Sequence, residues 1–198
     1  MYIINSMSIP FIICNELREI DNSCIFILKN LLQNEEMKFI NKVIDEDTPG
    51  VEDYSTTCNV KSKFTTFNLI SQKNPKIGKI VERVFKKIQS EIFNEITTDP
   101  IHVAHESMQF RKIYGATRRH VDGISDVSTQ GRACSVIIAL NDDYEGGEFE
   151  FPHQNVKVKL KAGEAIIFPP YWTHPHGTND LIDGTFRYTI NTWMCYKY

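Results

Sequence analysis

The spacing of apolar residues along this chain changes near residue 100. Before it, two stretches repeat with the 3.6-residue period of a helix; after it, apolar and polar residues alternate as in strands. Met37, Ile40, Val43 and Ile44 fall on one helical face. Asn34 precedes them as an Asx cap, and Glu35 and Glu36 supply first-turn acids, so a helix starting at Asn34 should pack on a core. A longer helix is predicted from Pro75, a proline at the first helical position, to just before Asp99-Pro100. Its buried stripe is Ile77, Ile80, Val81, Val84, Phe85, Ile88 and Ile92. Upstream, Ser23–Leu28 reads as a buried strand, and a further strand is expected around Ile9–Ile13.

Between Asp47 and Thr66 the pattern disappears. Asp47-Thr48-Pro49-Gly50 is turn chemistry, and the polar stretch after it reads as a long irregular connection of the sort that often carries function. Beyond residue 100, Met108–Ile113 alternates and leads to Tyr114-Gly115, and a strand ends at His120-Val121-Asp122. A polar stretch, 123–131, separates this from Ala133–Leu140, apolar enough for a central strand. Gly146-Gly147 makes a tight turn into Glu148–Phe151. Val156–Leu160 alternates with lysines, Ala165–Phe168 is broken by Pro169-Pro170, and a last strand runs from about Thr185 to Cys195. Seven or so short strands with regular turns predict an α+β, mainly β protein, a sandwich or jelly roll with the helices outside. A chain of 198 residues accommodates this in a single domain, 1–198.

Composition narrows the partners. A formal charge of -3 argues against a general nucleic-acid surface. The five cysteines include no C-x-x-C pair, which fits reduced thiols rather than a zinc knuckle or redox dithiol. No basic region precedes the apolar residues of the N-terminus, and no apolar run approaches the ~20 residues of a membrane span. The expectation is a cytoplasmic protein with no membrane and no nucleic-acid partner.

Chemistry concentrates in the last third. His120 and Asp122, two residues apart on a strand, would project from the same face. A third ligand could come from His174 or His176, which compete because they too are spaced by two. Two histidines, one carboxylate and open positions describe the facial triad of non-haem Fe(II) oxygenases. On the final strand Arg187, Thr189, Asn191 and Trp193 share one face. That face either looks outward or meets a ligand, since a buried guanidinium is costly unless a carboxylate pairs with it. The strand alone leaves both readings open.

Taken as an ordered set, these residues resemble the 2-oxoglutarate- and Fe(II)-dependent oxygenases, specifically the prolyl 4-hydroxylase-like branch. The set comprises Tyr114, His120-x-Asp122, Arg132–Ser135, Leu140-Asn141-Asp142, Tyr144–Phe149, Gly163–Pro169, His176, Gly184, Arg187-Tyr188 and Trp193, and spans residues 106–198. The resemblance implies a double-stranded β-helix (jelly roll) core over 101–198, with 1–100 as a helical supporting region. It implies His120, Asp122 and His176 as metal ligands and catalytic centre. His176 is preferred to His174 because its step to Gly184 is that of many relatives. It further implies Arg187 on the distal carboxylate of 2-oxoglutarate, with Tyr114 and Trp193 beside the cosubstrate. The implied cofactors are Fe(II), 2-oxoglutarate and O2, with ascorbate as a further candidate. The implied reaction is hydroxylation of a peptide or protein substrate, most plausibly at C4 of proline, with release of succinate and CO2. Substrate would enter between segment 47–66, loop 123–131 and the rim at Arg118-Arg119.

The chain departs from the family pattern in three places. Asn179-Asp180-Leu181 replaces the Pro-Val common after the distal histidine. Tyr114 lies closer to His120 than in many relatives, and Ala139 stands where some prolyl hydroxylases carry a tyrosine that reaches the cosubstrate. Two other readings compete: an oxygenase of a free amino acid, small molecule or nucleobase, and a non-enzymatic, metal-stabilised β-helix binding module. Arg187 counts against the second, because a structural metal needs no cosubstrate arginine. The sequence carries no signal of oligomeric state.

Overall fold

Strands outnumber helices thirteen to three among the residues that the computed structural model describes, namely 16–47, 53–55, 60–95, 101–103, 108–123, 131–182 and 184–196. The N-terminal half contributes β1 (Leu17–Glu19), β2 (Phe26–Leu28), α1 (Asn34–Asp47), β3 (Asp53–Ser55), β4 (Val60–Thr66), α2 (Phe67–Lys73) and α3 (Pro75–Glu95). The remainder is β5 (Ile101–Val103), β6 (Gln109–Ile113), β7 (Thr117–His120), β8 (Arg132–Ala139), β9 (Phe149–Phe151), β10 (Val156–Val158), β11 (Ala165–Phe168), β12 (His176–Thr178) and β13 (Arg187–Tyr196). The protein is mainly β, built from two antiparallel sheets.

The large sheet runs β1-β2-β11-β8-β13-β6-β4-β3, with β5 also on β13, and the small one runs β10-β9-β12-β7. β8 and β13 sit in the middle of the large sheet and are covered on both faces, so the apolar run of Val136–Ala139 in β8 is buried throughout. On one face, Ile40, Ile44, Val84 and Ile88 of α1 and α3 join Val136, Ile138, Ile190 and Met194 in one buried cluster. On the other, Ile137, Ala139 and Ile166 meet Phe149, Phe151 and Val156 of the small sheet. Each residue of both expected helical stripes is buried.

The structure differs from the sequence reading in several places. The segment read as irregular contains β4, which pairs with β6 from Ser62 opposite Ile113 to Thr66 opposite Gln109. Its buried residues include Ser62 and, on the other face, Thr65, at 0% and 6% exposure, and buried polar residues give no hydrophobic alternation to detect. α2 follows at once, and seven residues are too few to display a helical period. The cap of α1 lies one residue before Asn34. The backbone amides of Glu36 and Met37 donate to the Gln33 carbonyl, while the Glu36 carboxylate accepts from the Gln33 amide at 3.0 Å, half of a capping box. The strand expected around Ile9–Ile13 and most of loop 123–131 lie outside the described residues. Among the described residues no helix is long and apolar enough to cross a membrane.

Candidate metal and cosubstrate pocket

Strand register brings the candidate ligands together. β12 pairs with β7 so that His176 lies opposite His120, with a bulge between this pair and Thr178–Thr117. Gly177 between them tolerates no side chain, because a Cβ there would sit 2.8 Å from the Thr117 carbonyl oxygen. Asp122 lies just beyond the end of β7, held by Ser135 of β8, whose hydroxyl donates to Oδ2 at 2.5 Å. The next residue is anchored by a Gly123 N–H bond to the Pro170 carbonyl at 2.7 Å. One ligand atom from each of His120, Asp122 and His176 lies within 4.8 Å of the others, a group able to hold a metal ion.

Hydrogen bonding fixes which nitrogen each histidine offers. His120 Nδ1 donates to the Arg118 carbonyl at 2.8 Å, and His176 Nδ1 donates to the His174 carbonyl at 3.2 Å. Both rings are therefore left with Nε2 at the centre, 3.3 Å from Asp122 Oδ1 for His120 and 3.8 Å from Oδ2 for His176. Burial pushes the Asp122 carboxyl up, but hydrogen bonding from His120, the charges of both imidazoles and the Ser135 bond outweigh it. The group is held well below the usual carboxylate range. Burial lowers His176 below the ordinary imidazole value, and Asp122 only partly opposes this. A bound metal ion would take the place of the Nε2 protons, because imidazole binds a metal in its neutral form.

His174 is buried elsewhere. Its Nε2 donates to the Ser23 carbonyl at 2.8 Å, and its Nδ1 accepts from Thr173 Oγ1 at 2.9 Å. Strand alternation fails for this pair because β12 begins only at His176, and His174 closes the preceding turn.

A cavity of about 230 Å³ opens beside the three residues, with β13 and β6 as its floor. The open question about β13 resolves against the outward-looking reading: Ile190 and Met194 meet the helices, and Arg187, Thr189, Asn191 and Trp193 line the cavity. Arg187 is 2% exposed. It donates to the Gly147 carbonyl at 2.7 Å and, more weakly, to Thr178 Oγ1 at 3.4 Å. Its Nε has no partner, and among the described residues no carboxylate pairs with it. Burial pushes its pKa down to about 10, so it stays charged at neutral pH. Thr178 lies two residues from His176 on the same strand, which sets the guanidinium roughly 7 Å from the histidine end of the cavity. Trp193 lies under the Arg132 guanidinium, 3.6 Å from its ring centre, and Arg132 also donates to the Asp122 carbonyl.

Tyr114 is not brought to this cavity. It packs edge-on against Phe186, with ring centroids 5.2 Å apart, and is absent from the lining. Sequence reasoning passed over Gln109, Arg111 and Thr178. Alternation was available to find them: Gln109 and Arg111 oppose Phe110, and Thr178 is the next same-face residue after His176.

Residues 108–195 match the family model described as the 2OG-Fe(II) oxygenase superfamily. Over these residues the chain is similar to the 2-oxoglutarate/Fe(II) oxygenases. It is 28% identical over 178 residues to a PKHD-type hydroxylase of Prochlorococcus marinus, covering 80% of this chain and 73% of that protein. Among solved structures it resembles a viral collagen prolyl hydroxylase from Paramecium bursaria Chlorella virus-1, with a TM-score of 0.65 and 19% identity over 89% of this chain and 98% of that one. It also resembles a Trichoplax adhaerens prolyl hydroxylase in complex with a hypoxia inducible factor peptide, with a TM-score of 0.69 and 16% identity over 88% and 84%. At these identities the structural likeness speaks for the fold alone. The family implies Fe(II), 2-oxoglutarate and O2.

Proposed function

We propose that this oxygenase hydroxylates a prolyl residue of a peptide or protein, at C4, within a single domain whose two sheets form a double-stranded β-helix. His120, Asp122 and His176 would hold Fe(II), and Arg187 would receive the distal carboxylate of 2-oxoglutarate. The observation that carries this reading is the buried guanidinium with no carboxylate partner among the described residues, one β-step from the His/Asp/His group. A five-carbon dicarboxylate spans that separation and supplies the missing counter-charge. The donor set fits the metal: two nitrogens and one carboxylate oxygen leave room for a chelating ketoacid and O2.

When bound, iron and 2-oxoglutarate together supply oxidative decarboxylation to succinate and CO2, coupled to insertion of one oxygen atom of O2 into a substrate C–H. Ascorbate belongs to this proposal as the reductant that keeps the iron ferrous. The chain's own residues do the rest. The two Nδ1–H bonds aim the imidazoles, Ser135 orients Asp122, and Arg132 over Trp193 supports the cavity floor beside Asp122. Phe151 and Phe168, with ring centroids 5.7 and 4.5 Å from His176, keep water from that side of the centre. Peptide as the substrate class is supported by the name of the viral collagen prolyl hydroxylase and by the peptide held in the Trichoplax structure.

Anaerobic addition of Fe(II) and 2-oxoglutarate should produce a weak visible charge-transfer band, and O2 should then release succinate. A chain that gives neither is not an oxygenase. A proline-bearing peptide panel read by mass spectrometry should show a +16 Da product; modified metabolites with unmodified peptides would displace the prolyl reading.

A further inference from the structure

Trp172 is 71% exposed, the most exposed large apolar side chain among the described residues, and it is held rigidly. It occupies a turn closed by the His174 amide on the Tyr171 carbonyl at 2.9 Å, with Trp172 and Thr173 at the central positions. Each neighbour is fastened. Gln154 donates to the Thr173 carbonyl at 2.8 Å, His174 links Thr173 Oγ1 to the Ser23 carbonyl, and the Tyr171 hydroxyl donates to the Arg132 carbonyl. An indole left in water at the tip of so constrained a turn loses little entropy when something packs on it.

The turn is also continuous with the pocket. Pro170 accepts the Gly123 amide, and a Cβ on Gly123 would lie 3.2 Å from the Tyr171 ring, so the residue after Asp122 rests against the base of the turn. On the other side, His176 lies four positions after Trp172, a reach of at most about 14 Å. On β7, ending at His120, Arg118 and Arg119 are exposed with no carboxylate partner among the described residues.

We propose that Trp172 is a substrate-docking residue that stacks on a proline or aromatic ring of an extended, acidic peptide, within four residues of the reacting position. An extended strand covers about 14 Å in four residues. Flat proline rings pack on aromatic surfaces with little ordering cost, and the two arginines favour acidic side chains around them. The inference rests on the peptide-hydroxylation reading and adds a selectivity determinant outside the cavity.

The test uses the chain loaded with Fe(II) and 2-oxoglutarate and a set of Gly/Ser/Glu peptides. Each carries one central proline and a second proline, or a tryptophan, placed one to six residues away on either side. The expected result is lowest KM with the second ring within four positions. Trp172→Ala should raise that KM roughly tenfold and erase the position dependence. Trp172→Phe should retain most of it. Peptide-independent succinate release and 2-oxoglutarate affinity should be unchanged in both. Equal KM values for wild type and Trp172→Ala across the set would overturn the docking role while leaving peptide hydroxylation intact. If wild type neither binds nor hydroxylates any peptide but still releases succinate, the peptide reading fails and the docking role fails with it.

Discussion

The two faces of β13 belong to one strand and obey different rules. On the helix side, Ile190 and Met194 are buried in one apolar cluster with the stripes of α1 and α3. On the cavity side, Arg187, Thr189, Asn191 and Trp193 are largely buried too, yet each carries a polar atom with no partner: Arg187 Nε, Thr189 Oγ1, Asn191 Oδ1 and Trp193 Nε1. Each such atom costs on the order of 1–3 kcal/mol when left unmade. The first face explains why the sheet holds together. The second is tolerable only because the first exists, and it points to function, as unsatisfied groups in a native fold do.

This contrast can be broken in a definite order. Asp122→Ala should have the largest effect, abolishing succinate release and metal binding measured by calorimetry, because it removes the only carboxylate of the group. Next, Arg187→Met should weaken 2-oxoglutarate binding by about 2–5 kcal/mol. The same variant should leave thermal stability unchanged or raise it, by up to about 4 kcal/mol, since a buried charge without a partner is replaced by an apolar side chain. Burial lowers the folded pKa of Arg187 from its ordinary value to about 10, so its penalty is in full force at every pH below 10 and is relieved only above it. Measurement at pH 7 therefore captures all of it. A marked loss of stability in Arg187→Met would erase the distinction between the faces.

Ile190→Ala, on the opposite face of the same strand, should behave conversely. It should cost about 2–5 kcal/mol in denaturant unfolding while the remaining folded fraction binds 2-oxoglutarate normally. The smallest effect is expected from His174→Ala: about 1–3 kcal/mol of stability, from the orphaned Ser23 carbonyl, with metal affinity largely kept. If His174→Ala instead loses the metal and His176→Ala keeps it, the ligand has been misassigned.

Legibility from sequence follows the same division. The helix-side face was readable because Met37, Ile40, Val43 and Ile44, and the longer stripe from Ile77, repeat with a period that only a helix satisfies. The cavity-side face hid itself. Ser62 of β4 is a buried polar residue, as is Thr65 on the strand's other face, so that strand looked like a loop, and Tyr114, expected beside the cosubstrate by resemblance, packs on Phe186. His120, Asp122, His176 and Arg187 could be named in advance only as an ordered set, because no periodicity distinguishes a ligand from a rim residue. The choice between His174 and His176 depended on where β12 begins, and Pro175 between them leaves that boundary ambiguous.

The pairing of β2 with β11 has a kinetic consequence. β2 is complete within the first thirty or so residues, yet one of its two neighbours, β11, is made about 140 residues later. At ordinary synthesis rates that interval is roughly 7 to 30 seconds. β1 can cover one side of β2 in the meantime, while the other edge waits, exposed, for a strand not yet translated. Sheet closure, and with it the fastening of His174 to Ser23, is therefore a late event set by the ribosome, and contacts this distant in sequence are slow to form. The sheet waits longer still for β13, which joins β8 to β6 and follows β11 in the chain, so the nascent chain should be most open to aggregation or chaperone capture before that strand emerges.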